Sequence, residues 1–185
     1  MGRRWLITML CLGLLTSQVW ATAKQYTVPE TSVTFADSGG TVAMTFSNKA
    51  TQTGQVGALY NKTTGAQPAF WQFQCQISLT GTHTIGAAIE YYLVTSQDGT
   101  TLDGGVTANA ALASADKRRN LTPIGVIVVD QTTAGTSMIA TFRNVYIPSQ
   151  YYTLAFFNNT AISTETSTTK HKCVGTPTTP QMQNN

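Results

Sequence analysis

The segment from Trp71 to Thr80, W-Q-F-Q-C-Q-I-S-L-T, alternates apolar and polar side chains at every position. Successive side chains of a strand point to opposite faces, so this segment has one apolar face and one polar, uncharged face. A helix would scatter the same apolar residues around its cylinder. The pattern predicts a core strand of an antiparallel sheet. The residues expected to be buried are Trp71, Phe73, Ile77 and Leu79, and those expected to face solvent or a subunit interface are Gln72, Gln74 and Gln76.

Similar runs recur along most of the chain, separated by turn residues. About eight strands joined mainly by turns predict an all-β fold, a single antiparallel β-sandwich or jelly roll after an N-terminal signal peptide. The first two strands, 31–36 and 41–47, flank D-S-G-G and are predicted to pair as a hairpin. The run I-G-V-I-V-V at 124–129 is apolar nearly throughout, which predicts a strand covered on both faces.

Residues 1–23 have the layout of a secretory signal peptide. Arg3 and Arg4 form a basic start, Trp5 to Leu15 form a short apolar run, and A-T-A ends at Ala23. Cleavage after Ala23 would export the protein to the periplasm or the extracellular space. An uncleaved anchor is the alternative.

The β-sandwich domain is predicted to span residues 24–170. Residues 171–185, H-K-C-V-G-T-P-T-T-P-Q-M-Q-N-N, carry few apolar side chains. Segments that cannot bury much apolar surface tend to stay disordered. The sequence therefore predicts a polar, disordered tail after the domain.

The charge balance argues against nucleic acid as a partner. The chain has 11 Lys and Arg against 8 Asp and Glu, and two of the basic residues lie in the signal peptide. No basic stripe remains to neutralise phosphates. The one local basic cluster, Lys117, Arg118 and Arg119, is too small for strong phosphate binding and is also explained as a solvated loop tip.

Cys75 and Cys173 are the two cysteines that remain after signal cleavage. An oxidising compartment favours a disulfide between them, which requires the segment around Cys173 to fold back against the Trp71 strand. A free thiol buried at Cys75 is the alternative. Zinc is not indicated, because His171 is the one potential ligand close to either cysteine. No metal or cofactor is expected.

Candidate catalytic residues are sparse. His83 and His171 belong to no metal-binding motif and are predicted to be surface turn residues. Asp98 and Asp103 border the long connection after residue 99 and are the carboxylates best placed to approach each other, as a glycosidase would require. Turn formation explains both residues more simply. We therefore expect that the protein is not an enzyme. A hydrolase ranks third among the functions that the sequence suggests.

The connection over residues 100–123 is unusually long for a compact domain, and long loops are often functional. Adjacent strand residues point to opposite faces, so one of each pair Tyr91/Tyr92 and Tyr151/Tyr152 should face outward. Exposed tyrosines suit carbohydrate stacking or protein interfaces. The candidate ligand or partner surface comprises Tyr91, Tyr92, Asp98, Asp103, Lys117, Arg118 and Arg119.

Three segments between Glu90 and Asn159 follow one another in a recognisable order: E-Y-Y-L-V-T-S-Q-D-G-T-T-L-D-G-G-V-T, N-L-T-P-I-G-V-I-V-V-D and R-N-V-Y-I-P-S-Q-Y-Y-T-L-A-F-F-N-N-T. A strand ends in T-S-x-D-G-T, the next opens with x-x-I-G, and a Pro-x-x-Tyr-x-x-L strand ends in Asn-Asn. This order resembles small tailed-phage virion structural proteins, which decorate the capsid or act as accessory proteins. The resemblance covers the middle and later part of the chain.

Two classes of function follow. The resemblance implies a non-enzymatic structural or binding module in the virion, with protein partners and assembly as a homo-oligomer or within the virion. The alternative is an exported carbohydrate-binding or adhesion domain that binds a glycan through outward tyrosines and the long loop.

Overall fold

The computed structural model describes residues 31–62, 69–112 and 115–178. The predicted signal peptide lies outside these residues. Within them the chain forms eleven strands, a short 3₁₀ turn (Asp103–Gly105) and one short helix, α1 (Ala115–Arg119). The strands are β1 (Val33–Ala36), β2 (Val42–Ala43), β3 (Thr53–Val56), β4 (Tyr60–Asn61), β5 (Ala69–Ser78), β6 (Ala88–Ser96), β7 (Ala111–Leu112), β8 (Thr122–Val128), β9 (Ser137–Ile147), β10 (Tyr151–Asn159) and β11 (Lys172–Thr178).

The strands form two sheets that pack face to face. Sheet A has the order β2-β1-β11-β5-β9, and sheet B has the order β7-β3-β10-β6-β8, with β4 also paired to β10. Every strand pair is antiparallel except β1 with β2. The eight strands of four residues or more are divided equally between the sheets in the order of a jelly roll. The predicted antiparallel β-sandwich or jelly roll is confirmed.

The strand β5 carries the predicted core face. Trp71, Phe73, Ile77 and Leu79 are fully buried, whereas Gln74 is exposed. The same inner layer receives aromatic side chains from sheet B, and the rings of Trp71 and Tyr152 lie 5.4 Å apart. The alternation therefore fixes which face of β5 meets the opposite sheet.

The prediction of a disordered tail from residue 171 is wrong for residues 172–178, which form β11 between β1 and β5. The segment has few apolar side chains because large side chains of the neighbouring strand β5 occupy the core next to it. A Cβ on Gly175 would lie 2.5 Å from Cε1 of Phe73, so glycine makes room for the larger ring. Pairing on both sides supplies the order that composition does not. The domain thus continues to Thr178, and residues 179–185 lie outside the described part.

The two cysteines face each other across β5 and β11. Cys75 and Cys173 are register partners with Cα atoms 4.0 Å apart, and their sulfur atoms are bonded. Both side chains are fully buried. The segment around Cys173 folds back against the Trp71 strand, which is the arrangement that the predicted disulfide requires.

The predicted hairpin of residues 31–36 with 41–47 is wrong, because β1 and β2 run parallel. Asp37, the first residue after β1, is hydrogen-bonded to residues that follow β2. Its Oδ1 accepts hydrogen bonds from the backbone N–H groups of Phe46 and Ser47 at 3.1 and 2.9 Å. These bonds compete with an antiparallel ladder and leave β2 only two residues long.

The long connection between β6 and β8 forms a third layer on the outer face of sheet B. Its apolar residues pack against outward-facing side chains of β3, β6 and β10, including Val94 and Phe157. The strands β6 and β10 are therefore covered on both faces over part of their length. The packed residues of the connection are Leu102, Val106, Leu112 and Leu121.

We expect Phe73→Ala to lower the free energy of unfolding by about 3–5 kcal/mol, because it removes a fully buried ring and leaves a cavity. The matched control, Gln74→Ala, removes the neighbouring exposed side chain and should change stability by about 0.5 kcal/mol or less. Chemical denaturation of both variants measures the difference. Equal, small effects would contradict the assignment of the core face.

We expect the disulfide to contribute about 4–5 kcal/mol, because it closes a loop of 98 residues in the unfolded chain. Urea unfolding of wild-type protein with and without reductant measures this contribution. The double variant Cys75→Ala/Cys173→Ala is the control, and its stability should not respond to reductant. Free thiols at Cys75 and Cys173 in unfolded, unreduced protein would contradict the bridge.

Candidate functional site

The outer face of sheet B stays open beside the edge strand β8, where the third layer ends. A cleft of about 440 Å³ lies there, and we call it the β8 cleft. It is lined by Glu90, Tyr92, Arg118, Arg119, Leu121 and Pro123.

Local geometry explains how these residues meet. Glu90 and Tyr92 occupy alternate positions of β6, so both point to the outer face. Arg118 comes from α1 at the end of the long connection. Leu121, whose N–H donates to the Arg118 carbonyl, is buried in the outer apolar cluster and anchors this turn against the sheet.

Glu90 is the centre of a polar network in the cleft. Nη1 of Arg118 donates to its Oε2 at 2.6 Å, and the Tyr92 hydroxyl donates to the same oxygen. Nδ2 of Asn159 donates to Oε1 at 3.0 Å. The Arg118 guanidinium also lies over the Phe157 ring, with Cζ 3.6 Å from the ring centroid. The network holds a carboxylate and a guanidinium as a neutral, oriented pair.

Burial and the neighbouring carboxylate together change the acidity of Tyr92. Burial is the larger cause, and the hydrogen bond and negative charge of Glu90 add to it, raising the pKa of Tyr92 to about 12. The phenol therefore remains protonated near neutral pH and acts as a hydrogen-bond donor to Glu90. This arrangement suits recognition and positioning better than proton abstraction.

An exposed apolar strip runs along β8 beside the cleft. Val126 and Val128 are 48% and 51% exposed, and Ile85, just before β6, is 64% exposed. Val126 lies opposite Glu90 in the sheet. Gly86 donates to the carbonyl of Val129, which brings the Ile85 segment beside the end of β8. We call Ile85, Val126 and Val128 the β8 strip.

The prediction that residues 124–129 are covered on both faces is therefore wrong. Among the described strands, β8 pairs only with β6, so it is the edge of sheet B. Its inward residue Ile127 is buried, and its outward valines remain half exposed because the third layer does not reach them.

The structure brings some of the predicted surface residues together and separates others. Tyr92, Arg118 and Arg119 line the β8 cleft, and Lys117 is exposed on α1 outside the lining. Tyr91 is fully buried on the inner face, where its ring lies 5.3 Å from that of Phe142. Tyr91 is therefore wrongly predicted as a surface residue, although one member of its pair does point outward.

Asp98 and Asp103, the candidate carboxylate pair, are each engaged by hydrogen bonds to neighbouring residues. Oδ1 of Asp98 accepts hydrogen bonds from the N–H groups of Thr101 and Thr100 at 2.7 and 2.8 Å, which hold the pKa of Asp98 well below its usual range. The Ser96 hydroxyl also donates to Asp98, whereas the Thr95 hydroxyl donates to Asp103. Each acid is therefore held by its own hydrogen bonds near the end of β6.

The prediction of surface histidines is wrong, since His83 and His171 are both buried. Nδ1 of His171 accepts from the Ser78 N–H at 3.2 Å, and Nε2 lies 2.9 Å from the Glu165 carbonyl oxygen. These partners fix a neutral tautomer that carries its proton on Nε2. His171 thereby joins the end of β5 to the segment before β11.

Within residues 31–62, 69–112 and 115–178, no three His, Cys, Asp or Glu side chains group closely enough to hold a metal ion. The same residues contain no helix of sufficient length and apolar character to cross a membrane.

Glu90 and the exposed apolar strip were not predicted from the sequence as parts of a site. A signal for Glu90 was present, because it is a carboxylate in the middle of an apolar and aromatic strand. The strip gave no separate signal, because an apolar run looks the same at a sheet edge and in a sheet centre.

No family model and no curated protein sequence matches this chain. Among solved structures, the chain is similar to Eiger TNF from S. frugiperda, with 7% sequence identity and a TM-score of 0.36. The match covers 85% of this chain and 100% of that one. A likeness at this level says nothing about function.

We expect Tyr92 to ionise near pH 12 in the folded protein, against about 10 in the unfolded chain. Because the folded state holds its proton longer, its stability should fall as pH rises from about 10 to about 12. Ultraviolet titration of wild type against Tyr92→Phe isolates this phenol. In Glu90→Gln the pKa of Tyr92 should move back towards its ordinary value, and an unchanged titration there would contradict the network.

Proposed function

We propose that this protein is a non-enzymatic structural module that associates with copies of itself through the β8 strip and the adjoining β8 cleft. The observation that carries the proposal is the row of exposed apolar side chains on an uncharged edge strand. Such edges offer unpaired backbone groups and apolar surface to another chain.

The other sheet edges differ from β8. The outermost strands β2 and β7 are only two residues long. The edge strand β9 carries Arg143 and has a register shift opposite Trp71 and Phe73, with Asn144 at a φ of 58°. Short strands, charges and bulges protect edges from pairing. β8 has a register shift near Pro123, but beyond it Gly125 to Val128 continue as a regular, uncharged strand.

The cleft beside the strip has a composition that suits a protein interface. Tyrosine and arginine are enriched at the centres of interfaces, and Tyr92 and Arg118 occupy this position. Glu90 pairs with Arg118 within the same subunit, so a partner that covers the two residues leaves neither charge without a counter-ion. A second copy placed by a two-fold axis would present the same strip in return.

The virion role is the specific form of this proposal. The segment that resembles tailed-phage decoration or accessory proteins, residues 90–159, contains all six residues that line the cleft and both valines of the strip. Jelly rolls form viral capsid domains as well as lectins, so the fold is compatible with this role and with the glycan-binding alternative.

The alternative of an exported glycan-binding or adhesion domain loses its predicted surface at Tyr91 and Tyr92. Tyr91 is buried, and the hydroxyl of Tyr92 is engaged by Glu90. A different surface, the outer face of sheet A with the exposed rings of Phe70 and Tyr146, favours glycan binding.

We expect wild-type protein to sediment as an oligomer and Val126→Lys/Val128→Lys to dissociate, with a dissociation constant weaker by about tenfold or more. Both side chains are half exposed, so the subunit should stay folded. Sedimentation equilibrium over a concentration series measures the association.

Thr141→Lys is the matched control, because it adds a charge at an exposed position of sheet A. It should sediment like wild type, and far-ultraviolet circular dichroism should show that all variants keep their strands. A wild-type protein that remains monomeric at every concentration would overturn the proposal, as would equal dissociation of the control.

A further inference from the structure

We infer that the outer face of sheet A holds a second binding site, for a neutral polysaccharide, centred on Phe70 and Tyr146. These two residues form the aromatic platform. The site lies on the opposite sheet from the β8 cleft and does not depend on the proposed assembly.

The platform is a pair of half-exposed rings in a fixed arrangement. Phe70 of β5 and Tyr146 of β9 are cross-strand partners, with ring centroids 5.3 Å apart and planes inclined at 48°. Their side chains are 44% and 50% exposed, whereas Trp71, the next residue of β5, is fully buried. Rigid aromatic side chains lose little conformational entropy when a ligand covers them. Their faces can pack against the C–H faces of sugar rings.

The positions next to the platform are amides and hydroxyls. Gln72 and Gln74 occupy the next outward positions of β5, and Thr176 lies opposite Gln72 on β11. Thr178 Oγ1 donates to the Phe70 carbonyl at 2.8 Å, which fixes the strand beneath the ring. Amide and hydroxyl groups both donate and accept hydrogen bonds, as sugar hydroxyls do. A polyhydroxylated ligand can therefore satisfy them without a charge.

The charges on this face argue for a neutral ligand. The outward positions of β5, β9 and β11, as the structure describes them, include no carboxylate, and their cations are limited to Lys172 and Arg143. That is too little positive charge for nucleic acid. A protein partner would have to satisfy the row of glutamine amides, since burying them without hydrogen bonds is costly. An isolated aromatic pair is also too small a patch for a lipid surface.

The shape of the face favours an internal stretch of a chain over a chain end. Alternate residues of a strand lie about 6.7 Å apart, so the outward row of Phe70, Gln72 and Gln74 extends about 13 Å along an open surface. The β9 bulge lies between Phe142 and Val145 in the register, so Arg143 and Asn144, both exposed, adjoin the row at Gln72. Bulges commonly re-aim side chains, and here they place two more polar groups beside the aromatic platform.

Native affinity electrophoresis of the full chain through hydroxyethyl cellulose, mixed-linkage β-glucan, xylan and galactomannan tests the site. We expect at least one polymer to retard the wild type. Phe70→Ala and Tyr146→Ala should each weaken that binding by about tenfold, since each removes half of the stacking surface.

Ile139→Ala is the matched control. Ile139 is an exposed apolar residue of the same sheet face, but it lies at the other end of β9 and should be dispensable for binding. Calorimetry with Val126→Lys/Val128→Lys separates this site from self-association. The affinity of each subunit of this variant for the polysaccharide should equal that of wild type. Thermal unfolding checks that each variant is folded.

Several outcomes would overturn the inference. They are no retardation by any of the four polymers, equal weakening by Ile139→Ala, and wild-type binding by both aromatic variants. A fourth is a change in the sedimentation of Phe70→Ala or Tyr146→Ala without a change in polymer binding, which would make the platform a protein interface.

Discussion

The pairing of β5 with β11 is the contact on which the rest of the sandwich depends. It joins the strand that carries Trp71 and Phe73 to the C-terminal strand, and β11 in turn connects β1 and β2 to sheet A. The bonded cysteines fix the register at the middle of this pair. Gly175 lets the Phe73 ring lie close to the backbone of β11. Because β5 and β11 are far apart in sequence, their pairing is a long-range contact, and sheet A is complete only when the C-terminal strand has joined it.

The long connection between β6 and β8 decides which part of sheet B is available to a partner. It covers the outer face over Val94 and Phe157 and ends at α1, where Arg118 reaches Glu90. Beyond that point the third layer does not cover the sheet, and its last strand, β8, carries the two valines of the β8 strip. The cleft and the strip therefore both result from the way the third layer packs on sheet B. This layer buries most of the outer face and places Arg118 at its margin.

The two outer faces of the sandwich have different chemistry. Sheet B offers apolar side chains and an internally neutralised ion pair, which suits burial against a copy of the same chain. Sheet A offers amides, hydroxyls and the aromatic platform, which suits an uncharged, hydroxylated ligand. Since the faces point in opposite directions, self-association through one leaves the other accessible. A structural module built in this way would present several copies of a weak glycan site at once, which increases the overall avidity.

The sequence alone predicts the all-β class, the approximate number of strands and the buried face of β5, because side-chain alternation is a local property of extended backbone. It also restricts any disulfide within the described residues to Cys75 and Cys173. It did not determine that residues 172–178 form a strand, since their order comes from neighbours on both sides. Nor did it determine that Tyr91 rather than Tyr92 is buried, or that Val126 is exposed. Those outcomes depend on which face each sheet and the third layer cover, and contacts between residues distant in sequence set that choice.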